Sequence, residues 1–571
     1  MATNNRNILK RLWLPVALLA VVIINMIASQ AHARLDLTSE KRFTLSKPVK
    51  AMLTSLDTTI SIEVFLKGDY PSGFRKLSSS SNDLLREFRE LAGNKLQFNF
   101  ISPEELVPGT DTRYADTLTA MGMVPINLTS QVKQGQQQQY VYPFALVHRG
   151  ERTVPVRLYQ GKTPLISFQE LNSAEALLEY NFAEAISKVN SNTRPVVGYL
   201  TGNGEPSQMN TYDLVQNTLI PDYQLFTLNP NTQPGVPATF DALLVVKPTE
   251  PFSEEAKLKL DQYVMHGGKI IWFIDRLNAE MDSLQVKNEV VAYDRDLKIN
   301  DLLFRYGVRI NPDLVMDLQC DYLPFDVNGD GQFQLLPWNY FPVFESPENH
   351  AINKNLGFVS GRFVNSIDTV EAEGIRKTIL LQSSVNARKI GSPALISGKE
   401  NSNAPEDEKF VTPHIPVAVL LEGTFRSLYA NRLSAAQRDS LSANDEQFVQ
   451  ANVAPNKMIV VADGDMVLNS ITKGNQPIPM GMNPYTYGSQ REFPFANKEF
   501  LQNCLNYLVN KNDLGEAKSK DYVVRLLDTK KVEQDKRFWQ IINIVVPCIF
   551  IIILALLFSW WRKRKYSRPL A

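Results

Sequence analysis

Three short runs in this chain place glycine and carboxylate residues directly after apolar, strand-like segments. They are Thr201-Gly202-Asn203-Gly204-Glu205, Asp275-Arg276 and Asp463-Gly464-Asp465. In open α/β sheets ligands bind beyond the carboxyl ends of the strands, so these are the candidate ligand- or partner-binding residues. Glycines at 202 and 204 would let backbone N–H groups approach a ligand closely. The same residue types also make tight strand-to-helix turns with no ligand, and both readings stand at this level. Grouped acids can act as general acid and base, so a hydrolase would draw on Glu205, Asp275 and Asp463.

Other chemistries lack their residues. Asp326-Val-Asn-Gly-Asp-Gly331 begins like a calcium loop, but the twelfth position is Pro337 rather than a bidentate glutamate, so a turn is expected there. His32, His148, His266, His350 and His414 show no ligand spacing, and no metal is expected. Gly267-Gly268-Lys269 runs into Ile270, and no Gly-x-x-x-x-Gly-Lys-Ser/Thr occurs, so any ATP hydrolysis belongs to another chain. No Gly-x-Ser-x-Gly elbow follows a strand. The expectation is a protein with no catalytic residues and no cofactor.

The framing of the chain points the same way. Residues 12–28 (LWLPVALLAVVIINMIA) and 541–561 (IINIVVPCIFIIILALLFSWW) are apolar, with ordinary globular sequence between them. The second holds 14 Ile, Leu, Val or Phe among 21 residues, favouring the bilayer by roughly 6 kcal/mol before Asn543 and Pro547 are subtracted. Trp560 and Trp561 fit an interfacial belt, and Arg562 to Lys565 follow. The first reads as a transmembrane helix or, given Ala31-His32-Ala33, as a cleaved signal peptide. Either way the middle lies outside the cytoplasm. Basic residues also flank the opposite face (Arg34, Lys41, Arg42, Lys530, Lys531, Lys536, Arg537), but both terminal tails carry positive charge alone, +3 and +5. With zero net charge overall, the residues between the tails carry −8, which argues against a nucleic-acid binder. Three cysteines are too few for a disulfide scaffold. Cys320 and Cys504 could pair in an oxidising compartment, yet Cys504 shares a stripe with Phe500, Leu501, Leu505 and Leu508 and reads as a small core residue.

The elements that must position the candidate residues follow from periodicity. Residues 59–66, 82–91 and 95–101 read strand, helix, strand, a βαβ-like start. With Val124-Pro125 this resembles a thioredoxin-like topology, but without Cys-x-x-Cys no redox chemistry follows. Gln136 to Gln139 reads as a polar hairpin tip, and 172–189 as a helix. Strands at 195–200, 223–228, 241–246 and 269–274 alternate with helical segments, the first around 212–219 and the second capped by Ser253 and closed near Gly267. Such near-continuous apolar strands predict a parallel sheet covered on both faces, extended by 301–306, 313–317, 457–461 and the helix 498–509. Residues 397–408 and 434–450 read as polar loops. The expected order is a cytoplasmic tail (1–11), a first membrane helix (12–30), a thioredoxin-like α/β domain (31–190), and a flavodoxin- or amidotransferase-like parallel-sheet domain (191–515). A juxtamembrane segment (516–537), a second membrane helix (538–561) and a basic tail (562–571) complete it.

On these features the chain resembles the gliding-motility-associated ABC transporter family GldG of Bacteroidetes. The resemblance rests on Arg34-x-Asp36-Leu37-Thr38-x-x-Lys41-x-Phe43-Thr44-Leu45-Ser46 and on Tyr199-Leu-Thr-Gly-x-Gly-Glu205. It continues in Gly267-Gly268-Lys269, Asn497-x-x-Phe500 through Tyr507-Leu508, and Arg525-Leu-Leu-Asp528. It singles out Arg34, Asp36, Thr38 and Lys41 after the first membrane segment. One position departs: the family pattern has His where this chain has Asn203, which removes any role resting on an imidazole there. The resemblance implies a non-enzymatic auxiliary, substrate-binding subunit in the bacterial cytoplasmic membrane. Its large domain would lie in the periplasm, its partners a separate ATPase, a multi-span permease and envelope proteins.

Overall fold

The computed structural model describes residues 44–509 apart from short stretches, the helix Thr529–Tyr566, and Leu19, Val21 and Val22. The first apolar segment lies outside the described residues save those three. So do Arg34, Asp36, Thr38 and Lys41, and nearly all of the polar loops 397–408 and 434–450.

The N-terminal part opens with α1 (Lys47–Thr54) and β1 (Ile60–Val64). Helix α2 (Ser72–Ala92) then crosses to β2 (Leu96–Phe100), which pairs parallel with β1. Helix α2 is longer than its apolar stripe suggested, because the run Ser78 to Ser81 carries no strand-like alternation to stop it. Strands β3 (Ile126–Val132) and β4 (Gly135–Val141) form a separate hairpin. Gln136 to Gln139 lie in β4 itself, paired with residues 128–131, and are not a hairpin tip. Backbone ladder bonding wins over side-chain polarity, since every residue of the hairpin can contribute it.

Strands β5 (Phe144–Arg149) and β6 (Arg152–Arg157) continue the first sheet antiparallel, in the order β2-β1-β5-β6. Helix α3 (Phe168–Asn190) packs back on this sheet and on α2, burying Leu178, Phe182, Ile186 and Val189 in one core with Val49, Ile62, Phe74 and Phe88.

The second part is built on one seven-stranded sheet. Strands β7 (Val196–Leu200), β8 (Gln224–Leu228), β9 (Ala242–Val246) and β10 (Ile270–Phe273) are parallel, as expected. Two further strands, β11 (Ile375–Gln382) and β12 (Pro416–Gly423), are antiparallel, and β13 (Asn456–Val461) lies between β12 and β10, parallel to β10. The sheet is therefore mixed rather than wholly parallel. Residues along β9 and β10 are buried on both faces. Leu244, Val246, Ile271 and Phe273 enter one core; Leu243, Val245, Ile270 and Trp272 enter the other. That two-sided burial is what an unbroken apolar run requires.

Helix α4 (Glu254–Met265) covers one face. It starts where expected: the Ser253 hydroxyl accepts from the Ala256 amide, with Glu254 and Glu255 in the first turn. Helix α5 (Asn497–Val509) covers the other, burying Phe500, Leu501, Cys504, Leu505 and Leu508. Cys320 and Cys504 do not form a disulfide.

Two expectations fail here. The strand Asp313–Asp317 leaves the main sheet and pairs with Ala387–Gly391, because its carboxylates are fixed by Ser366 and Ser384 rather than by a helix. The segment after β7 is not a plain helix but a 3-10 turn, Gln208–Thr211, followed by a π-helical stretch, Asp213–Leu219. Buried Asp213 accepts from the Met480 amide, and its own amide donates to Asn469, which ties the segment to a distant loop.

The C-terminal helix α6 (Thr529–Tyr566) is a separate unit. Its stretch Phe538–Arg564 is long and apolar enough to cross a membrane.

Candidate functional site

The carboxyl ends of β9, β10 and β13 meet at one edge of the main sheet. From β10 comes Asp275, from β13 come Asp463 and Asp465, and the acid oxygens of all three lie within 4.8 Å of one another. Sequence had selected all three. It had missed the cation among them: Lys247, at the end of β9, places its Nζ 2.7 and 2.8 Å from the two Asp465 oxygens, 3.0 Å from Glu280 and 3.4 Å from Asp275. Lys247 sits at φ +45°, a region costly for a residue with a Cβ, so its backbone is held there by its surroundings. A signal existed: the run Asp241 to Val246 is apolar through its strand and ends in Lys247-Pro248, at the same sheet edge that made Asp275 a candidate.

The acids are sealed. Asp275 is 3% exposed and Asp463 is fully buried. Asp463 accepts from the amides of Arg362 (3.0 Å), Asp465 (2.8 Å) and Met466 (3.1 Å), the last two opening a short 3-10 turn. The Gly464 amide donates to Asp275. Burial pushes Asp275 up to about 6, with Lys247 pulling it back down and Asp465 pushing it further up. Burial, then Asp275 and Asp465, raise Asp463 well above the usual carboxylate range against its amide donors. Burial opposes the Lys247 ammonium, but Asp465, Asp275 and Glu280 outweigh it and hold its pKa above the ordinary lysine value.

Three clustered carboxylates invite a metal. Here the ammonium of Lys247 already stands where a cation would, within hydrogen-bond reach of Asp465, and a divalent ion would have to expel it. The donor set therefore fits an ionic clasp that ties three strand ends together better than it fits a metal centre. A shallow cleft lined by Ser360, Arg362, Asp465, Leu468, Gly481, Met482 and Asn497 reaches Asp465 from outside. It leads to a carboxylate already engaged by Lys247.

The other candidates are not brought into this cluster. The glycine turn Thr201–Glu205 docks on the loop after β9: the amides of Thr249 and Glu250 donate to the Asn203 carbonyl at 2.9 Å, and Asn203 Nδ2 donates to Pro251 O. Gly204 has φ +77°, and a Cβ there would overlap Thr249 Oγ1; one at Gly202 would overlap the Asn229 side chain. These glycines serve close packing and a left-handed turn. Glu205 turns back to accept from the Asn203 amide at 2.7 Å, and burial raises its pKa. Thr201 donates its amide to Leu228 O, bracing β7 against β8. Arg276 points away from the acids toward Asp294, at 2.8 and 3.0 Å, and toward the Ile310 carbonyl, while its amide donates to Asn365.

The half calcium loop joins two antiparallel strands, Cys320–Asp326 and Phe333–Phe344, with the Gly331 amide donating to Asp326. Residues 327–330 of that loop, where a turn was expected, lie outside the described residues.

A two-sided α/β sheet with a clasped carboxyl edge, together with a separate helix long and apolar enough to cross a membrane, defines the class of α/β protein to which this chain belongs. Residues 194–504, which contain the whole seven-stranded sheet and the clasp, match the family described as an ABC-type uncharacterized transport system, and the chain belongs to this auxiliary family. Residues 39–148 match a domain of unknown function. An uncharacterized protein of Borreliella burgdorferi is 19% identical over 580 aligned positions, covering 98% of this chain and 99% of that protein. Among solved structures, an IFT52 N-terminal domain overlaps 55% of this chain and 97% of its own length at 13% identity, with a TM-score of 0.30. A cold-adapted β-galactosidase from Rahnella overlaps 59% of this chain and 35% of its own at 9% identity and a TM-score of 0.23. Likenesses this slight transfer neither fold nor activity.

Proposed function

We propose that this chain is a non-catalytic, substrate-binding auxiliary subunit of an ABC-type exporter linked to gliding motility, anchored in the bacterial cytoplasmic membrane. Its globular domains lie on the periplasmic side, a thioredoxin-like domain over 31–190 and a flavodoxin- or amidotransferase-like domain over 191–515. There they bind substrate or another envelope protein, while a separate ATPase and a multi-span permease drive transport. The observation that carries this reading is the match of residues 194–504 to an ABC-type transport family in a chain whose sequence holds no nucleotide-binding loop of its own. The helix Phe538–Arg564 supports membrane anchoring. Affinity purification of the full chain from mild detergent tests it: a permease and an ATPase should co-purify, and a chain recovered alone overturns the reading.

A hydrolase using Glu205, Asp275 and Asp463 is the second reading, favoured by the raised pKa of Asp275. Against it, Glu205 is held by its own loop and the other two are buried behind Lys247. Substituting each acid by its amide should leave the cellular phenotype intact; loss of phenotype in a variant that still folds would favour hydrolysis.

A further inference from the structure

Residues 359–363 run past the clasp. Val359–Ser360 pair with the strand Phe333–Phe344, and the amides of Gly361 and Phe363 donate to Pro342 O and Tyr340 O. Gly361 lets this segment lie against the clasp, since a Cβ there would stand 2.8 Å from Asp463 Oδ2. The next residue, Arg362, donates its amide to Asp463 at 3.0 Å, and its side chain lines the shallow cleft beside Asp465.

A guanidinium offers five N–H donors. That of Arg362 is half-buried, lies 5.5 Å from the centre of the Phe341 ring and donates to Ser470 Oγ at 2.9 Å. It makes no ion pair with any acid among the described residues, whereas the other cations around the clasp do: Lys247 with Asp465, Arg276 with Asp294 and Arg295 with Glu280. Asp321 does not fill the gap. Its oxygens already accept from Asn483 Nδ2 and from the Tyr322 amide, at 2.8 Å each. A half-buried cation without a counter-ion carries a desolvation cost that a bound anion would offset.

The cleft lies at the carboxyl end of β13, the side of such sheets on which ligands bind. It encloses about 10 Å³, room for about one water molecule. Pockets for whole small molecules are far larger, at about 300–1,000 Å³, so only the tip of a longer molecule enters here. The other polar groups of the lining are engaged: Asn497 bonds to Ser360 and Met466, and both Asp465 oxygens hold Lys247. Arg362 is left to select the ligand. A planar carboxylate matches its fork with two parallel hydrogen bonds, whereas a phosphate would bring a second negative charge beside Asp465.

We propose that Arg362 anchors a carboxylate of a polypeptide partner, an Asp or Glu side chain or a chain end, at the carboxyl edge of the main sheet. The inference rests on the reading that the globular part binds substrate or another envelope protein, and it names the chemistry by which that partner is held.

The full chain in mild detergent is treated with phenylglyoxal, which modifies arginine, and the rate at each site is read by mass spectrometry. Four probes compete: a blocked pentapeptide with one central glutamate, its glutamine twin, the glutamine peptide with a free carboxyl end, and inorganic phosphate. At twice its dissociation constant, a carboxylate peptide should slow modification of Arg362 by about threefold, the factor mass action gives. Whichever carboxylate peptide protects better identifies a side chain or a chain end as the source. The glutamine twin should not protect, and exposed Arg305 should react at one rate throughout. Arg362→Gln should weaken the protecting peptide by at least about tenfold in fluorescence polarisation, as expected on losing a charged hydrogen-bond pair. Arg362→Lys should fall between. Both variants keep the backbone amide that holds Asp463, and the protection assay needs neither. Equal protection by the glutamine twin, stronger protection by phosphate, or unchanged peptide affinity in Arg362→Gln overturns the proposal and leaves co-purification of a permease and an ATPase untouched. Failure of that co-purification overturns the broader reading, whatever the probes do.

Discussion

Replacing Lys247 by methionine should expose what the clasp contributes. Methionine keeps the side-chain length but removes the only ammonium beside Asp275 and Asp465 among the described residues. In the intact protein Asp275 titrates near 6, about two units above an ordinary aspartate, so keeping it ionised above pH 6 costs about 3 kcal/mol. Because its folded pKa is raised, the native state binds more protons than the unfolded chain. Its contribution is therefore fully present below about pH 4 and is lost as the pH rises through about 6. Without Lys247 the pull that lowers Asp275 disappears, its pKa climbs further, and the window of loss extends upward. Stranding buried carboxylates in this way costs about 3–5 kcal/mol.

Urea unfolding followed by tryptophan fluorescence, with Trp272 buried in β10, reads the change. K247M should lose about 3–5 kcal/mol at pH 8 and clearly less at pH 5, where Asp275 accepts a proton. The double variant K247M/D275N should recover part of the loss at pH 8, since removing both charges is far milder than removing one. A loss under about 1 kcal/mol that is flat from pH 5 to 8 would refute the clasp.

Further outcomes follow from neighbouring features. K247M, with its ammonium gone, should gain thermal stability from millimolar calcium or magnesium, whereas the unmodified protein should not; equal responses in melting assays would restore the metal reading of the three aspartates. Gly204→Ala should lose about 1–3 kcal/mol, from φ +77° and the overlap with Thr249, measured by the same unfolding assay. Cys320, whose thiol burial pushes up to about 12, and the buried Cys504 should both resist alkylation at pH 8 until denaturant is added, as mass spectrometry would report. Lys188 joins α3 to the sheet part through Asp222 at 2.9 Å, and Arg157 pairs with Glu499 of α5 at 3.3 Å. Charge reversal at Lys188 should therefore speed proteolysis between residues 191 and 195, the connection the two parts share.

What the sequence determined by itself was whatever depends on neighbours along the chain. The apolar runs of β7 to β10, the Ser253 cap, the cysteine in the α5 stripe and the apolar span at 541–561 are all local patterns, and each produced the element it encodes. The same rule located Asp275, Asp463 and Asp465, because a carboxylate directly after a buried strand must sit at the sheet's edge. Partners were decided only in three dimensions. Asp275, Asp463 and Lys247 come from strands far apart in sequence, and the order β12-β13-β10-β9-β7 alone makes three of their ends adjacent. Whether Glu205 joined them depended on its own loop closing on Asn203, and whether Asp313–Asp317 entered the main sheet depended on Ser366 and Ser384 fixing its acids elsewhere. Charge position is written in the chain; charge pairing is a property of how distant strands are stacked.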